Sequence, residues 1–391
     1  MSKGWKTYKL GEVAIKLGDG LHGTPKYDNE GEYYFINGSN LIEGRIIVTS
    51  NTKRVSEEEY NKYKKDLSDR TILLGINGTI GNIALYNNEK CVLGKSACYI
   101  NVDDKFDKLF IKYVLLNDGF QNYIKTNATG TTIKNVGLKL IREYEALIPS
   151  EIEEQTQIAS ILSSLDDKIE LNLQMNQTLE NMAQAIFKEW FVNFNFPGFD
   201  GKMENGLPMG WRMGKLGDMI LNFDSKRVPL SSRQRDERQG EYRYYGAASI
   251  VDYIDDFIFD GTYLLMGEDG TVITDEGFPV LQYVWGKFWV NNHTHVLQGK
   301  TPYSTEYIYM LLNETPINNI VTGAVQPKIN QGNLNRIACL IPTENILFQF
   351  DKVIKPIFEK VKSLEDQNQT LTQLRDSLLS KLMSGKITVK N

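Results

Sequence analysis

The chain has 391 residues, with 44 Lys and Arg against 49 Asp and Glu, a formal net charge of −5, and 41% hydrophobic residues. This length predicts two or three folded domains, and the low count of 11 prolines argues against a disordered chain. No apolar run approaches the ~20 residues that a membrane helix needs, and the chain does not start with a secretory leader, so we expect a cytoplasmic protein without a membrane partner. Cys91, Cys98 and Cys339 form no CxxC pattern, which favours buried thiols in a reducing compartment.

Residues 1–149 are predicted to form a first body of many short strands, separated by Gly and Asn. Near its start, Gly18 to Gly23 matches the GxGxxG pattern, but Pro25 follows where a dinucleotide-binding turn needs a helix. We therefore interpret this segment as an exposed binding loop. Two further turns contain Gly beside polar residues, and ordinary turns are the alternative for all three. The candidate binding residues of this body are His22, Thr24, Lys26, Tyr27, Asn77, Thr79, Asn82, Thr131 and Lys134.

A single long helix is predicted over residues 150–195. Ser150 and Glu153 have the spacing of a capping box, and apolar residues recur in steps of four and three from Ile158 to Trp190. This pattern predicts a heptad seam against another helix, on a helix about 60 Å long at ~1.5 Å per residue. Further apolar residues beside the seam predict a partner beyond the second helix. These residues are Met175, Met182, Phe187, Trp190 and Phe191.

The second half of the chain repeats the first. The opening that runs from Gly4-Trp5 to Leu10-Gly11 recurs from Gly210-Trp211 to Leu216-Gly217. A tandem duplication gives one chain two similar units, which suits a target with two parts. Leu147-Ile148-Pro149 at the end of the first body recurs as Leu340-Ile341-Pro342, and Asn176 to Leu179 in the long helix recurs as Asn368 to Leu371.

The repeat predicts the layout of the remaining chain: a linker over 196–209, a second body over 210–342 and a second long helix over 343–386. Pro356 should kink this helix or delay its start, and Gly385 should end it. We predict an α/β (α+β) fold in which two similar globular bodies are separated by two long antiparallel coiled-coil helices, with a pseudo-twofold. Asn176 and Asn368 would set the register of the helix pair, because a polar residue in an apolar seam trades stability for register.

The strongest basic stretch opens the second body. From Asp224 to Arg243, six bases stand against four acids, with tyrosines between them. Arg can read guanine through two hydrogen bonds, and both Arg and Lys clamp phosphate, so a DNA-reading loop is one hypothesis. A solvated loop neutralised by its own acids is the alternative. The candidate residues are Lys226, Arg227, Arg233, Arg235, Arg238 and Tyr244, with Gln326 and Lys328 from a later Thr-Gly loop.

The sequence contains no recognisable catalytic constellation. It has no Asn-Pro-Pro-aromatic methyltransferase motif, and Gly94-Lys95-Ser96 lacks the first glycine of a phosphate-binding loop. His293-Thr294-His295 has no cysteine nearby, which disfavours a zinc site. We therefore predict no catalytic residue, no metal and no cofactor in this chain.

These features together resemble the DNA specificity subunit of a type I restriction-modification system, over essentially the whole chain. The Gly-Trp and Leu-Gly openings are similar to the start of that family's target recognition domains. Residues 186–194 resemble the end of its central conserved helix, and residues 378–386 resemble its C-terminal helix ending. The loop at Lys226 to Leu230, with Tyr244 to Ala247, resembles one class of recognition domain, and His22 to Tyr27 resembles another.

The resemblance implies a non-catalytic subunit that reads a bipartite double-stranded DNA target, one half-site per target recognition domain. It further implies two methylation (M) subunits that bind the helices and use S-adenosylmethionine, and restriction (R) subunits that use ATP and Mg. Two alternatives stay open on the sequence alone. One is a stand-alone DNA-modifying enzyme with an unrecognised site, and the other is a two-domain scaffold that does not bind DNA.

Overall fold

The computed structural model describes residues 4–323, 326–387 and 389, which form two compact units. Unit 1 is built from the chain up to Glu170 together with the chain from Asn368 onward, and unit 2 runs from Leu171 to Gln367. Each unit therefore combines one body with a segment of each long helix. Within the described part of the chain, no helix has both the length and the apolar character to cross a membrane.

Unit 1 holds the strands and short helices of the first body. They are β1 (Trp5–Lys9), α1 (Leu10–Val13), β2 (Ala14–Asp19), β3 (Tyr33–Ile36), β4 (Leu41–Ile42), β5 (Arg45–Ile46), β6 (Arg54–Val55), α2 (Glu57–Tyr63), β7 (Thr71–Gly75), β8 (Ile83–Leu85), β9 (Cys91–Leu93), β10 (Ala97–Val102), α3 (Lys108–Leu116), α4 (Asp118–Thr126), α5 (Leu138–Glu143) and β11 (Glu145–Pro149). The first long helix, α6 (Ile152–Phe191), follows and contributes its first half to this unit.

A four-stranded antiparallel sheet in the order β2-β10-β7-β8 forms the centre of unit 1. All five residues of β7 are buried, as expected for an apolar strand in the middle of a sheet. A second sheet has the order β6-β3-β9, with β3 and β9 parallel. β1 pairs antiparallel with β11, from Trp5 opposite Pro149, so the two ends of the body meet where α6 begins.

Unit 2 holds the second body, after the short pair β12 (Met203–Glu204) and β13 (Leu207–Pro208). Its elements are β14 (Arg212–Lys215), β15 (Ile220–Asn222), α7 (Ser232–Asp236), β16 (Gln239–Tyr245), β17 (Ile250–Ile254), β18 (Phe259–Asp260), β19 (Tyr263–Gly267), β20 (Leu281–Val284), β21 (Lys287–Val290), β22 (Thr294–Gly299), α8 (Thr305–Asn313), α9 (Gln331–Asn335) and β23 (Ala338–Ile341). The second long helix, α10 (Glu344–Met383), completes the chain's regular elements.

The two bodies share one topology, which confirms the predicted repeat. The central sheet of unit 2 has the order β15-β22-β19-β20, which matches the order in unit 1 strand for strand. Its second sheet again contains a parallel pair, β16 with β21, flanked by an antiparallel neighbour, β17. β14 pairs antiparallel with β23, from Arg212 opposite Ile341, just as β1 pairs with β11.

The long helices run antiparallel within each unit. In unit 1, Arg375 donates to Asp166 at 3.0 Å, and Leu382 shares a core with Leu162. In unit 2, Asn172 donates to Gln367 at 2.7 Å. Farther along unit 2, Phe187 meets Phe350 with ring centroids 6.0 Å apart. In these contacts, the residue numbers increase along α6 while they decrease along α10. None of the predicted seam residues is exposed.

Both seam asparagines are buried, Asn176 with 9% and Asn368 with 6% of its surface exposed. Gly385 has a φ of +65° just beyond the end of α10, as predicted for a residue that terminates a helix. Cys91, Cys98 and Cys339 are buried and form no disulfide, as the sequence predicts.

Three expectations about the helices are wrong. The Ser150 hydroxyl oxygen is buried and has no hydrogen-bond partner among the described residues, so no capping box forms. Gln155 instead ties the start of α6 to the body by donating to the Pro149 carbonyl at 2.8 Å. Helix α10 begins at Glu344, so Pro356 does not delay its start. The helix continues through Pro356 because Pro356 and Lys352 are exposed and water can solvate the Lys352 carbonyl. Phe187 and Phe191 pack into the core of unit 2, so they do not form part of a surface for a further partner.

Asp166 on α6 links the body and both helices of unit 1. Its carboxylate accepts from Lys112 Nζ at 2.8 Å, from the Tyr113 hydroxyl at 2.6 Å and from Arg375. Burial alone would raise the pKa of Asp166, but Lys112 and the other donors hold it below its ordinary value. Lys112 is 9% exposed, so its ammonium depends on this carboxylate for a counter-charge.

We expect Asp166→Leu to destabilise the protein by about 3 kcal/mol, because the buried Lys112 ammonium loses its partner. Adding Lys112→Met should recover much of that loss by removing the orphaned charge. Asp167→Leu, at an exposed neighbour, is the matched control and should change the free energy of unfolding by under about 0.5 kcal/mol. Urea unfolding measures all three; a double variant as unstable as Asp166→Leu would contradict the assignment.

Candidate nucleic-acid interface

Two loops of unit 1 pair with each other at the end of β7. Asn77, two residues beyond Gly75, bridges Asn135 antiparallel, and its side-chain amide donates to Asn135 Oδ1 at 3.1 Å. The backbone N–H of Gly78 donates to the Lys134 carbonyl at 3.1 Å. Gly78 and Gly130 have φ values of +70° and +100°, so glycine is required at both turns. The hairpin and the Thr-Gly loop predicted as separate candidates therefore form one surface.

A cleft of ≈ 410 Å³ adjoins the paired loops of unit 1. His22 from the Gly-rich loop lies in it, with its Nε2 2.5 Å from Asp19 Oδ2. Asn77, Asn135 and Lys95 supply amide groups and an ammonium to the same cleft. Such groups can hydrogen-bond base edges or phosphates. Sequence reasoning missed Asn135 and Lys95, although Asn135 directly follows the predicted Lys134.

A second cleft of unit 1, of ≈ 360 Å³, contains the predicted Tyr27. Its ring is 45% exposed and packs edge-on against Phe35 with centroids 5.9 Å apart. An exposed aromatic ring beside polar groups can stack on a base. The polar residues of this cleft, which the sequence did not single out, are Asn37, Ser39, Asn40, Thr49, Asn51, Thr52 and Lys53.

The other candidates of the first body differ in accessibility. Thr24, Lys26, Thr131 and Lys134 are exposed. Asn82 was predicted to contact DNA, but its side chain turns inward and donates to the Leu41 carbonyl at 2.7 Å. Thr79 is only partly exposed, and its carbonyl oxygen lies 2.2 Å from where a Cβ on Gly75 would stand.

Unit 2 repeats the paired loops at the end of β19. Asp269 and Thr322 both bridge Lys328, and the Lys328 ammonium lies 3.2 Å from the Asp269 carboxylate. Lys328 and Gln326 are exposed, as a contact surface requires. Ala324 and Val325 of the predicted Thr-Gly loop lie outside the described residues.

Arg227 is buried in an ionic cluster behind these loops. Its guanidinium lies 2.5 Å from Glu268 Oε2 and donates to the Thr294 carbonyl at 2.7 Å, with 12% of the side chain exposed. His295, fully buried, places Nδ1 2.6 Å from Asp224 Oδ2 and Nε2 2.7 Å from the Ile329 carbonyl. The cluster therefore joins the basic loop, the hairpin and the Thr-Gly loop. Arg227 was predicted to contact DNA directly, but its guanidinium is largely enclosed and is bonded to Glu268 and Thr294.

Asp224, Glu268 and His295 are close enough together to suggest a metal site within the described residues. The contacts favour an ionic cluster instead. A carbonyl can only accept, so His295 Nε2 carries a proton toward Ile329. The Arg227 guanidinium already supplies positive charge between the two carboxylates, which disfavours a bound cation.

Burial alone would lower the pKa of His295, but its hydrogen bond to Asp224 and that residue's charge raise it above its ordinary value. Burial would likewise raise the pKa of Asp224, and the contacts with His295 lower it instead. The position equivalent to His295 in unit 1 is Cys98, since His295 lies opposite Met266 as Cys98 lies opposite Leu74. Among the described residues, the buried histidine of the unit 2 cluster therefore has a cysteine as its counterpart in unit 1.

The remaining basic candidates divide into sequestered and exposed residues. Arg235 pairs with Asp252 at 3.0 Å and lies 5.3 Å from the Tyr244 ring centroid, and Arg238 pairs with Asp255 at 2.9 Å. Tyr244 is 1% exposed, and its hydroxyl accepts from the Leu230 N–H at 3.0 Å. Arg235, Arg238 and Tyr244 therefore have partners within unit 2, and their contact with DNA stays a prediction.

Lys226 and Arg233 remain as exposed cations of the basic loop. Arg233 is 90% exposed, and it pairs with Glu237, the residue just beyond the end of the short helix α7. Such a surface pair contributes about 0–1 kcal/mol, so a phosphate can compete for the guanidinium. Lys226 and Arg233 are therefore the exposed members of the five cations predicted for the basic loop, and the other three are partly buried.

The model for the family described as type I restriction modification DNA specificity domain matches the chain twice, over residues 2–181 and 208–377. The chain is 24% identical, over 99% of its length and 94% of the relative's, to the type I restriction enzyme MjaIX specificity subunit of Methanocaldococcus jannaschii. It is 21% identical to the HindI specificity subunit of Haemophilus influenzae, over 98% of this chain and 99% of that one. A crystal structure of a type I restriction-modification system S subunit from M. genitalium shares the fold, with a TM-score of 0.57 at 18% identity, over 97% of this chain and 96% of that one.

The ionic cluster predicts a pH-dependent stability for unit 2. His295, whose folded pKa is raised, contributes stability that is present below the unfolded value of 6.5 and lost as pH rises through the folded value. Asp224, whose folded pKa is lowered, contributes stability above 3.8 that is lost as pH falls through its folded value. We expect the difference in unfolding free energy between the parent and His295→Gln to shrink as pH rises from 6.5 through the folded pKa of His295. A difference that stays constant above pH 6.5 would show that the pKa of His295 is the same in the folded and the unfolded chain.

Proposed function

Because the chain belongs to the family of type I restriction modification DNA specificity domains, we propose that it reads a bipartite DNA target, one half-site with each body. The observation that carries this proposal is the doubled surface: each body presents a hairpin and a Thr-Gly loop joined by antiparallel bridges. A matched pair of surfaces on one chain fits a target with two separate halves. The difference in polar residues between the two surfaces fits two different half-sites.

The surface of unit 1 supports recognition through amides and a few cations. Asn77 and Asn135 hold each other through one hydrogen bond, which leaves donors and acceptors of both amides for base edges. Lys95 and Lys134 flank them and suit phosphate contacts. The glycines at the turns let the backbone approach the duplex closely.

The surface of unit 2 supports recognition through Lys226, Arg233, Gln326 and Lys328, all of them exposed. Arg227 and His295 support this surface from behind, so their role in our proposal is to preorganise the loops. Preorganised loops lose less conformational entropy on binding, which favours affinity.

The helices support the proposal of a partner subunit. Leu171, Met175 and Met182 of α6 are 51%, 42% and 50% exposed, at spacings that place them along one side of the helix. An exposed apolar stripe on a helix marks a protein interface. We propose that methylation subunits bind here and use S-adenosylmethionine, that restriction subunits in the same assembly use ATP and Mg, and that the assembly acts in the cytoplasm.

We expect the double variant Lys226→Ala with Arg233→Ala to weaken DNA binding by the assembled complex and to lower the salt slope of the binding constant by about 2, one for each phosphate contact. The double variant Lys95→Ala with Lys134→Ala in unit 1 should weaken DNA binding and lower the salt slope by the same amounts, through the other half-site. Binding titrations at several salt concentrations measure both effects.

The matched controls for these variants are Lys6→Ala in β1 and Lys215→Ala in β14, exposed lysines on equivalent strands of the two bodies. They should leave the salt slope unchanged. Salt slopes equal to the parent's in both double variants, with folding intact, would place the DNA elsewhere.

We expect Leu171→Glu with Met175→Glu to weaken association with the methylation subunit at least about tenfold, because charges would enter an apolar interface. The control is Gln177→Glu with Asn181→Glu, which adds the same charge at exposed polar positions of the same helix. Analytical ultracentrifugation measures the association. Equal affinity for the two double variants would refute this docking surface.

A further inference from the structure

A half-buried cleft of unit 2 lies between α6, α10 and the strands β16 and β20, apart from the paired loops. Its volume is ≈ 240 Å³. Asn176 and Glu180 reach it from α6, Glu365 from α10, and Arg243 from β16. Neither the DNA-contacting loops nor the exposed stripe of α6 contributes to it, so recognition and docking leave its chemistry unexplained.

The cleft contains a buried acceptor without a donor. Asn176 is 9% exposed, and its side-chain oxygen has no hydrogen-bond partner among the described residues. An unsatisfied buried polar atom costs about 1–3 kcal/mol, a cost that a bound donor would remove. As a seam residue, Asn176 was expected to set the register of the helices. The missing donor points to a further role.

The charged groups that line the cleft around Asn176 also favour a bound cation. Glu180 and Glu365 bring two carboxylates, against which Arg243 brings one guanidinium that also hydrogen-bonds Tyr245. Burial, and then the charge of Glu365, raises the pKa of the Glu180 carboxyl. A cation placed in the cleft would relieve this repulsion, because an opposite charge within a few ångströms favours the ionised carboxylate.

The walls and the size limit which cation fits. Tyr283 and Trp285 line the cleft, and each ring already has a cation beside it, Lys362 at 5.5 Å and Arg243 at 5.9 Å from the centroid. Aromatic faces attract alkylammonium and guanidinium groups. Pockets for drug-sized ligands start at about 300 Å³, so this cleft suits a single cationic head group with a short apolar stem. A hydrated metal ion would gain nothing from the aromatic walls.

We propose that this cleft is a binding site for one alkylammonium or guanidinium head group, held by Asn176 Oδ1 and the carboxylates of Glu180 and Glu365. Each of these oxygens accepts a hydrogen bond, and an ammonium has three to donate. The head group comes either from a free amine or from a Lys or Arg side chain of another protein. The site does not depend on the function proposed for the loops.

The test uses butylammonium as the probe, the full chain without DNA, and isothermal titration calorimetry. We expect saturable binding to one site, weakened at least about tenfold in Glu180→Gln with Glu365→Gln, because two charge-assisted hydrogen bonds are lost. Asn176→Asp should tighten binding by adding a third carboxylate. Glu153→Gln, on an exposed part of the same helix, is the matched control and should bind as the parent does. Butanol, the neutral analogue, should not bind.

A second titration, on the chain assembled with its methylation subunit, distinguishes the sources. Binding that persists in the complex indicates a free amine as the ligand. Binding that disappears there, together with weaker assembly of Glu180→Gln with Glu365→Gln, indicates a side chain of the partner. The proposal is overturned if the parent binds no butylammonium, if butanol binds equally, or if neither Glu180→Gln with Glu365→Gln nor Asn176→Asp changes the affinity.

Discussion

The antiparallel seam of the two long helices is the constraint on which both units depend, because each body completes its core with helix residues. In unit 1, Ile158, Leu162 and Leu382 share one apolar cluster with the central sheet. In unit 2, Phe187 and Phe350 do the same. A body without its helix segments would expose these apolar side chains to water. The helices therefore stabilise the strands that they cover, and those strands hold the loops in position.

The two bodies show how one topology supports two different surfaces. The same backbone bridges join the paired loops in both, whereas the residues behind them differ. Cys98 stands in the apolar core of unit 1 where His295 stands in a charged cluster of unit 2. An aspartate persists near this place in both, as Asp19 beside His22 and as Asp224 beside His295. The backbone frame can therefore stay constant while the side chains on and behind it change what each surface recognises.

The sequence alone predicted the features that repeat or recur with a period. The paired openings predicted two bodies of one fold, and the heptad spacing predicted the seam through Asn176 and Asn368 down to the individual residues. The roles of the arginines could not be predicted, because Asp252 and Asp255 neutralise Arg235 and Arg238 only through contacts made in the folded domain. The pairing of the two loops in each body escaped prediction for the same reason: Asn77 and Asn135 are distant in sequence.

The central claim is that each body reads its own half of the DNA target. The most direct test exchanges residues 210–342 for the equivalent body of another family member and sequences the methylated adenines in cells that carry the assembled complex. Our account predicts that one half of the methylated sequence changes while the other half is retained. If both halves change, or if neither does, the two bodies do not act as independent readers.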